Sequence, residues 1–353
     1  MHETLKKRNV YYDFLRILAI LCIVFNHTDD RGYYLYVLTD RTVIKYFYYM
    51  FSAFIAMGVP IFFMISGALL LSKEESLQKI CRHRIVRILL VIVIFSMVQY
   101  LYQVCTGKVE GFHPGYFIGH VLSGDIIIPY WFLYQYLMFL LILPFLRMLV
   151  KAMKPEHYLY LLGLYLMIDG GLNIALSFYG LNADKYDQPM FSRIIIWPLL
   201  GYYIENLLPQ KYYRMKYVFA GCACSFIALF VIACMSARRG LTLDQFTDYD
   251  KGLYTCSLTA IYAVTLFYLA KYFFQKVKIP LKLYRLITVL GGATFGVYLM
   301  EQPIRESTVF LWDYLAPYVS RFGAAIIWTV FIFLCTAIIT LILKKVPGIK
   351  QLL

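Results

Sequence analysis

Arg16 and His27 stand with ten residues between them in the run VYYDFLRILAILCIVFNHT (10–28), which is otherwise almost wholly apolar. A histidine titrates near neutral pH and is the side chain best suited to take and return a proton, or to act as a nucleophile. At about 100° per residue, eleven steps along a helix return to about 20° from the start. Arg16 and His27 therefore share one helix face, roughly 16 Å apart along its axis. Asp13 lies one turn before Arg16 on that face, at the i, i+3 spacing of an ion pair. A line of charged and titratable groups on an apolar helix is costly in hydrocarbon. This face is expected to turn toward a bundle interior or a water-filled cavity.

Further candidates lie elsewhere. The segment KICRHRIVRILL (79–90) sets Arg84 and Arg87 one turn apart, with Arg82 and Arg84 flanking His83. It reads either as a positively charged membrane anchor or as an anion clamp, since guanidinium forks match phosphate oxygens. In GGATFGVYLMEQPIRE (291–306), Glu301 and Arg305 have i, i+4 spacing. They form a structural pair or line the site that holds His27. Asn26 and Tyr298 are further candidates for orienting a base or a substrate. Trp131 reads first as an interfacial anchor. Asp169, beside two glycines in LMIDGGLN (166–173), faces either an interface or a cavity. The eight cysteines fall mostly inside apolar runs, with no CxxC pair and no His at metal-ligand spacing. They read as packing residues, and no metal site is expected.

The elements that must position these residues follow from composition. Hydrophobic residues make up 61% of the 353 and charged residues 15%, against about 25% charged in soluble domains. The fold class expected is an all-α polytopic membrane bundle, a single integral membrane domain over 1–353. Runs near the ~20 residues needed to cross a bilayer occur at about 10–28, 46–71, 85–104, 126–146, 158–177, 192–208, 217–235, 252–270, 287–303 and 324–343, or ten spans. The first run has no small-residue cleavage site after it and reads as a retained helix. In 58–70, Pro60, Ser66 and Gly67 interrupt the run, and close helix packing is the first reading.

With the N-terminus placed in the cytoplasm, Lys and Arg favour the cytoplasmic side by roughly two to one. Both termini are then expected inside, with Lys6, Lys7 and Arg8 among the inner residues and Lys251 among the outer ones. The net charge of +14, which in a soluble protein would point to nucleic acid, is accounted for by membrane topology. In this orientation Arg16 is near the cytoplasmic end of the first span and His27 near its outer end.

DFLRILAILCIVFNH resembles the first span of the membrane acyltransferase-3 family, marked by an Arg, ten residues and a His. VPIFFMISGALLL, RHRIVRILL, YWFLYQYLMFLLILPFL, WPLLGYYI and TFGVYLMEQP resemble further spans of that family, in family order and over nearly the whole chain. The resemblance implies transfer of an acyl group, commonly acetyl, from cytosolic acyl-CoA to a hydroxyl of an envelope carbohydrate, in the cell membrane. It gives His27 and Arg16 the place of the family's essential His and Arg. It sets Arg84 and Arg87, with Arg82 beside them, at the acyl-CoA-binding positions. Where relatives often have a His after the FGxYL stretch, this chain has Glu301, so a second histidine's role is absent or changed.

Under that resemblance His27 either deprotonates the acceptor hydroxyl or carries the acyl group itself. Arg16, too far along the axis to touch His27, binds coenzyme phosphate or orders the cytoplasmic mouth, held by Asp13. Acyl-CoA enters as donor substrate, with no permanently bound cofactor. The partners expected are membrane lipids, acyl-CoA and a carbohydrate acceptor, with self-association left open. The motifs do not distinguish acetyl from succinyl donors. The rival reading is a transporter or flippase for a saccharide or small metabolite, which ten spans and a polar lumen also suit.

Overall fold

In hydrocarbon every backbone N–H and C=O must be satisfied within the chain, and a helix does this locally. The computed structural model describes residues 9–353 apart from 182 and 243–251, with no side chains described at 241 and 242. Lys6, Lys7, Arg8 and Lys251 of the charge count lie outside the described residues. Among the described residues the regular structure is all helical. Seven stretches are long and apolar enough to cross a membrane: Thr42–Leu70, Leu77–Cys105, Ile128–Ala152, Pro155–Ser177, Met215–Gly240, Leu281–Ser307 and Arg321–Leu343.

The other three expected spans are helical but outside that set. They are α1 (Val10–Asn26, 17 residues), α7 (Arg193–Tyr202, continued by the π-turn Tyr203–Leu207) and α9 (Thr259–Lys276, 18 residues). Of the ten expected spans, seven fall on long apolar stretches among the described residues and the other three are shorter helices. The physical reason is burial. Around α1 pack α2 (Thr42–Ile55), α3 (Gly58–Leu70), α9, α10 (Leu281–Ser307) and α11 (Arg321–Leu343). A helix enclosed by protein need not match the hydrocarbon on all sides. The long helices carry the exposed apolar side chains, such as Phe145, Phe219 and Ile338.

The expected span 46–71 is two helices. The chain breaks at Ala56 and Met57 between α2 and α3, because Pro60 has no N–H to offer the carbonyl of Ala56. Gly67 then meets α7 at backbone distance. A Cβ on Gly67 would lie 2.0 Å from the Pro198 oxygen, and one on Gly201 would lie 1.9 Å from the Met64 oxygen. These two glycines let α3 and α7 touch main chain to main chain. Gly291 does the same for α10 against α1, where a Cβ would fall 2.4 Å from that of Asp13.

Pro303 lies inside α10 and leaves the carbonyl of Leu299 without its helical donor. Tyr130 Oη donates to that oxygen at 2.7 Å and Gln99 Nε2 at 3.4 Å. The substitution of side-chain donors for the missing amide ties α10 to α4 (Val86–Cys105) and to the start of α5 (Trp131–Ala152). At the opposite end of the bundle, the π-turn after α7 exposes its last carbonyls. Lys271 Nζ caps those of Ile204 and Glu205, both at 3.0 Å, and pairs with the Glu205 carboxylate at 3.1 Å. Tyr11, at the head of α1, donates to the same carboxylate.

The glycine contacts define a comparison. Gly201→Ala must push α7 away from Met64, and we expect a loss of about 1–3 kcal/mol, read as a lower midpoint in thermal unfolding of the detergent-solubilised protein. Gly163→Ala is the control: among the described residues nothing beyond its own helix turn lies within 4 Å of a Cβ there, and it should be neutral or stabilise by up to about 1 kcal/mol. Equal midpoints for the two variants would remove the claim of main-chain contact.

Candidate active site

His27 is the residue on which α1 ends. Its N–H bonds Ile23 O at 3.1 Å, and the loop beyond is held by side chains. Thr28 Oγ1 donates to Phe25 O at 2.7 Å and accepts from the Tyr33 amide at 3.2 Å. Ser52 Oγ donates to Tyr33 O at 2.7 Å. The ring is thereby fixed, with Nδ1 2.7 Å from Glu301 Oε1. The Glu301 side chain is 1% exposed and that of His27 16%. Arg305 Nε donates to the other carboxylate oxygen at 3.3 Å, and its Nη1 lies 3.8 Å from Asp29. Arg305 supplies the countercharge that a buried carboxylate requires. With an ionised carboxylate as partner, Nδ1 carries the ring proton and Nε2 is left as the basic nitrogen. This is the arrangement in which a carboxylate orients a histidine base.

Next to His27 opens a cavity of about 490 Å³, within the usual range for small-molecule sites. Asn26, Trp131 and Tyr298 line it with His27. Tyr298 donates to Pro129 O, which ties the α10 wall to the turn before Trp131. The far wall holds Asp169, of the two readings the one that faces a cavity, together with residues that had no signal in the sequence. Arg193 lies 5.2 Å from the Trp131 ring centre. Tyr165 packs against Phe191 at 5.4 Å and Trp197 at 6.3 Å. Asp169 lines the cavity, accepting from the Ser257 amide, and Asp187 lies on the same side. The site therefore combines a dyad, aromatic faces and polar groups of both signs.

A family model described as an acyltransferase domain, of the acyltransferase-3 type, matches residues 9–344. The chain belongs to the acyltransferase-3 family. With seven long apolar helical stretches among its described residues, it is a multi-pass membrane protein, and its family supports an acyltransferase. No curated protein and no solved structure matches the chain.

The rest of the predicted site residues of this acyltransferase lie at the other end of α1. Arg16 Nη1 is 2.9 Å from Asp13 Oδ1. Arg84 is bidentate on Glu75, with Nε 3.0 Å and Nη2 2.8 Å from its two oxygens. Arg147 shares that carboxylate through Nη2 at 2.8 Å and bonds Leu70 O through Nε at 3.0 Å. Residues Ile80–Ile85 form a π-turn. Arg87 donates to Leu352 O through Nε at 3.3 Å and Nη2 at 3.0 Å, and Arg82 is exposed. The structure thus gathers His27, Asn26, Trp131, Tyr298, Glu301 and Arg305 around one end. Arg16, Asp13, Arg82, Arg84 and Arg87 lie at the other, where Arg84 and Arg87 have separate partners.

Glu75 and Arg147 were invisible in the pattern, because Glu75 sits in a short loop with no helical period to relate it to Arg84, and Arg147 reaches it from 72 residues along the chain. Glu301 left a signal: an acidic residue in an apolar run has to be paired.

Hydrogen bonds from Arg84, then from Arg147, hold the Glu75 carboxyl down at about 2 against the burial that raises it. A carboxyl lowered from its ordinary 4.5 stabilises the fold fully above that value, and the contribution is lost as pH falls toward 2. Unfolding midpoints of Glu75→Gln should therefore lie below wild type at pH 7 and converge with it as pH falls below about 4. A constant gap across that window would show that the carboxylate charge is not what binds the two arginines.

Proposed function

We propose that this acyltransferase works in the plasma membrane and moves an acyl group, acetyl in the simplest case, from cytosolic acyl-CoA to a hydroxyl of a cell-surface or lipid-linked saccharide. The observation that carries this reading is the His27–Glu301 pair beside the 490 Å³ cavity. Acyl transfer to a hydroxyl needs one base with a free nitrogen, and Glu301 leaves Nε2 of His27 in that state. The aromatic faces of Trp131 and Trp197, with Asp169, Asp187 and Arg193 around them, suit a ring that presents both C–H faces and hydroxyls.

In the proposed step His27 Nε2 takes the proton of the acceptor hydroxyl as its oxygen attacks the thioester carbonyl. The C–S bond of the tetrahedral intermediate then breaks. An O-acyl ester is formed, and the coenzyme leaves as the thiolate, which takes up the proton that His27 holds. Glu301 stabilises the imidazolium formed in between. Asn26 and Tyr298 orient the acceptor, and Arg305 holds Glu301. The excess of Lys and Arg at the Arg16 end favours that end in the cytoplasm. Arg16, Arg82 and Arg87 then meet the phosphates of acyl-CoA, and Arg84 braces their turn through Glu75. The coenzyme's extended arm would cover the roughly 16 Å of α1 between Arg16 and His27.

Envelope saccharides from cells carrying His27→Ala should have background O-acyl content while the variant is present in the membrane at wild-type level. Glu301→Gln should lower the transfer rate by about 10²–10⁴. Wild-type acylation in His27→Ala would remove the mechanism. At the other end, Arg82→Ala combined with Arg87→Ala should raise the KM for acyl-CoA and leave the maximal rate largely intact. An unchanged KM would move the phosphate site elsewhere.

A further inference from the structure

A second cavity has a different chemistry. At the Arg16 end, between α6 (Pro155–Tyr165), α7, α8 (Met215–Thr242) and α9, runs a groove of about 290 Å³. Leu159 and Leu162 form one wall, Leu200 and Ile204 the floor, and Val264 the other wall. It lies between helices on the outside of the bundle: among the described residues α6 packs chiefly on α7 and the turns next to it, and Leu159 and Tyr160 beside the groove are exposed. An apolar cleft that opens to hydrocarbon is filled by hydrocarbon, since nothing polar gains by entering it. Two features at the mouth go further. Tyr212 and Tyr217 stand edge to face at 5.4 Å, both lining the groove. Each carries an ammonium beside its ring: Lys211 Nζ at 5.1 Å from the Tyr212 centroid and Lys216 Nζ at 5.0 Å from that of Tyr217. In addition the wall contains Tyr158, whose hydroxyl is buried and, among the described residues, has no hydrogen-bond partner. Such a donor is costly to leave unpaired.

We propose that this groove is a binding site for one anionic phospholipid of the bilayer. One acyl chain lies along Leu162, Ile204 and Val264, the glycerol ester offers an acceptor to Tyr158, and the headgroup phosphate sits against Lys211 and Lys216. Basic pockets between membrane helices take anionic headgroups by the same charge complementarity. The site is distinct from the His27 cavity and joined to it through α7, whose Leu200 floors the groove and whose Arg193 and Trp197 line the cavity. It stands independently of which acyl group or acceptor the enzyme uses.

The test uses the purified full-length protein, delipidated in detergent and titrated with phosphatidylglycerol or phosphatidylcholine under native mass spectrometry. Phosphatidylglycerol should be retained as one tight equivalent, at least tenfold tighter than phosphatidylcholine. Leu162→Trp, which fills the groove, should weaken phosphatidylglycerol at least tenfold. Lys211→Gln with Lys216→Gln should bring it down to the phosphatidylcholine level. A photoactivatable phosphatidylglycerol added to wild type reads the same site without a variant and should label peptides containing Tyr158, Tyr203 or Tyr268. Equal retention of the two lipids by wild type, or labelling that misses all three peptides, overturns the proposal.

Discussion

A carboxylate enclosed in an apolar bundle has to be met by N–H donors and positive charge, and Glu301 is where that demand falls. Its side chain is 1% exposed, with His27 on one oxygen and Arg305 on the other. Much of the surrounding architecture serves this one placement. Gly291 lets α10 lie against α1, so that a residue on one reaches the end of the other. Pro303 opens the α10 backbone two residues beyond Glu301, and Tyr130 and Gln99 close it again from two other helices. The same tyrosine precedes Trp131, so the hydrogen bond that repairs α10 also sets one wall of the cavity.

The polar groups are sorted to the two ends of the bundle, and tight helix contacts join those ends. At the His27 end the buried pair His27–Glu301 lies beside a cavity. At the Arg16 end they form staples: Glu75 with Arg84 and Arg147, and Glu205 with Lys271 and Tyr11. Between them α3 and α7 meet main chain to main chain at Gly67 and Gly201. In a bilayer the hydrophobic effect does not drive helices together, so close approach of small residues and interhelical hydrogen bonds must do it. The α7 helix runs from the cavity wall at Arg193 and Trp197 to the capped carbonyls near Lys271, which makes it the element that both ends share.

Much of this was legible in the residues themselves. The helical class and the pairing of Asp13 with Arg16 one turn apart follow from local pattern, because hydropathy and the 3.6-residue period act over neighbouring positions; the family was legible as a resemblance of several short motifs in order along the chain. The separation of Arg16 from His27 was legible too, since it is set by helix geometry alone. The internal structure of the spans was not. The break at Ala56 and Met57, the π-turn at Ile80–Ile85 and the shortness of α7 depend on how local backbone defects are satisfied by neighbours.

Residue type and hydropathy were enough to mark candidates for chemistry and to place most of them on apolar helices. Which of them meet depends on how the helices pack. Glu301 partners His27 across 274 positions, Glu75 takes Arg84 and Arg147 from two other helices, and Arg193, Asp187 and Trp197 arrive at the cavity from a loop and a short helix. The physical reason is that a buried charge constrains its surroundings without naming its partner. An apolar run containing a carboxylate predicts that something must pair with it. Which group does so is settled by helix-to-helix packing, here by glycines that let main chains touch and by a proline whose lost hydrogen bond had to be made good from elsewhere.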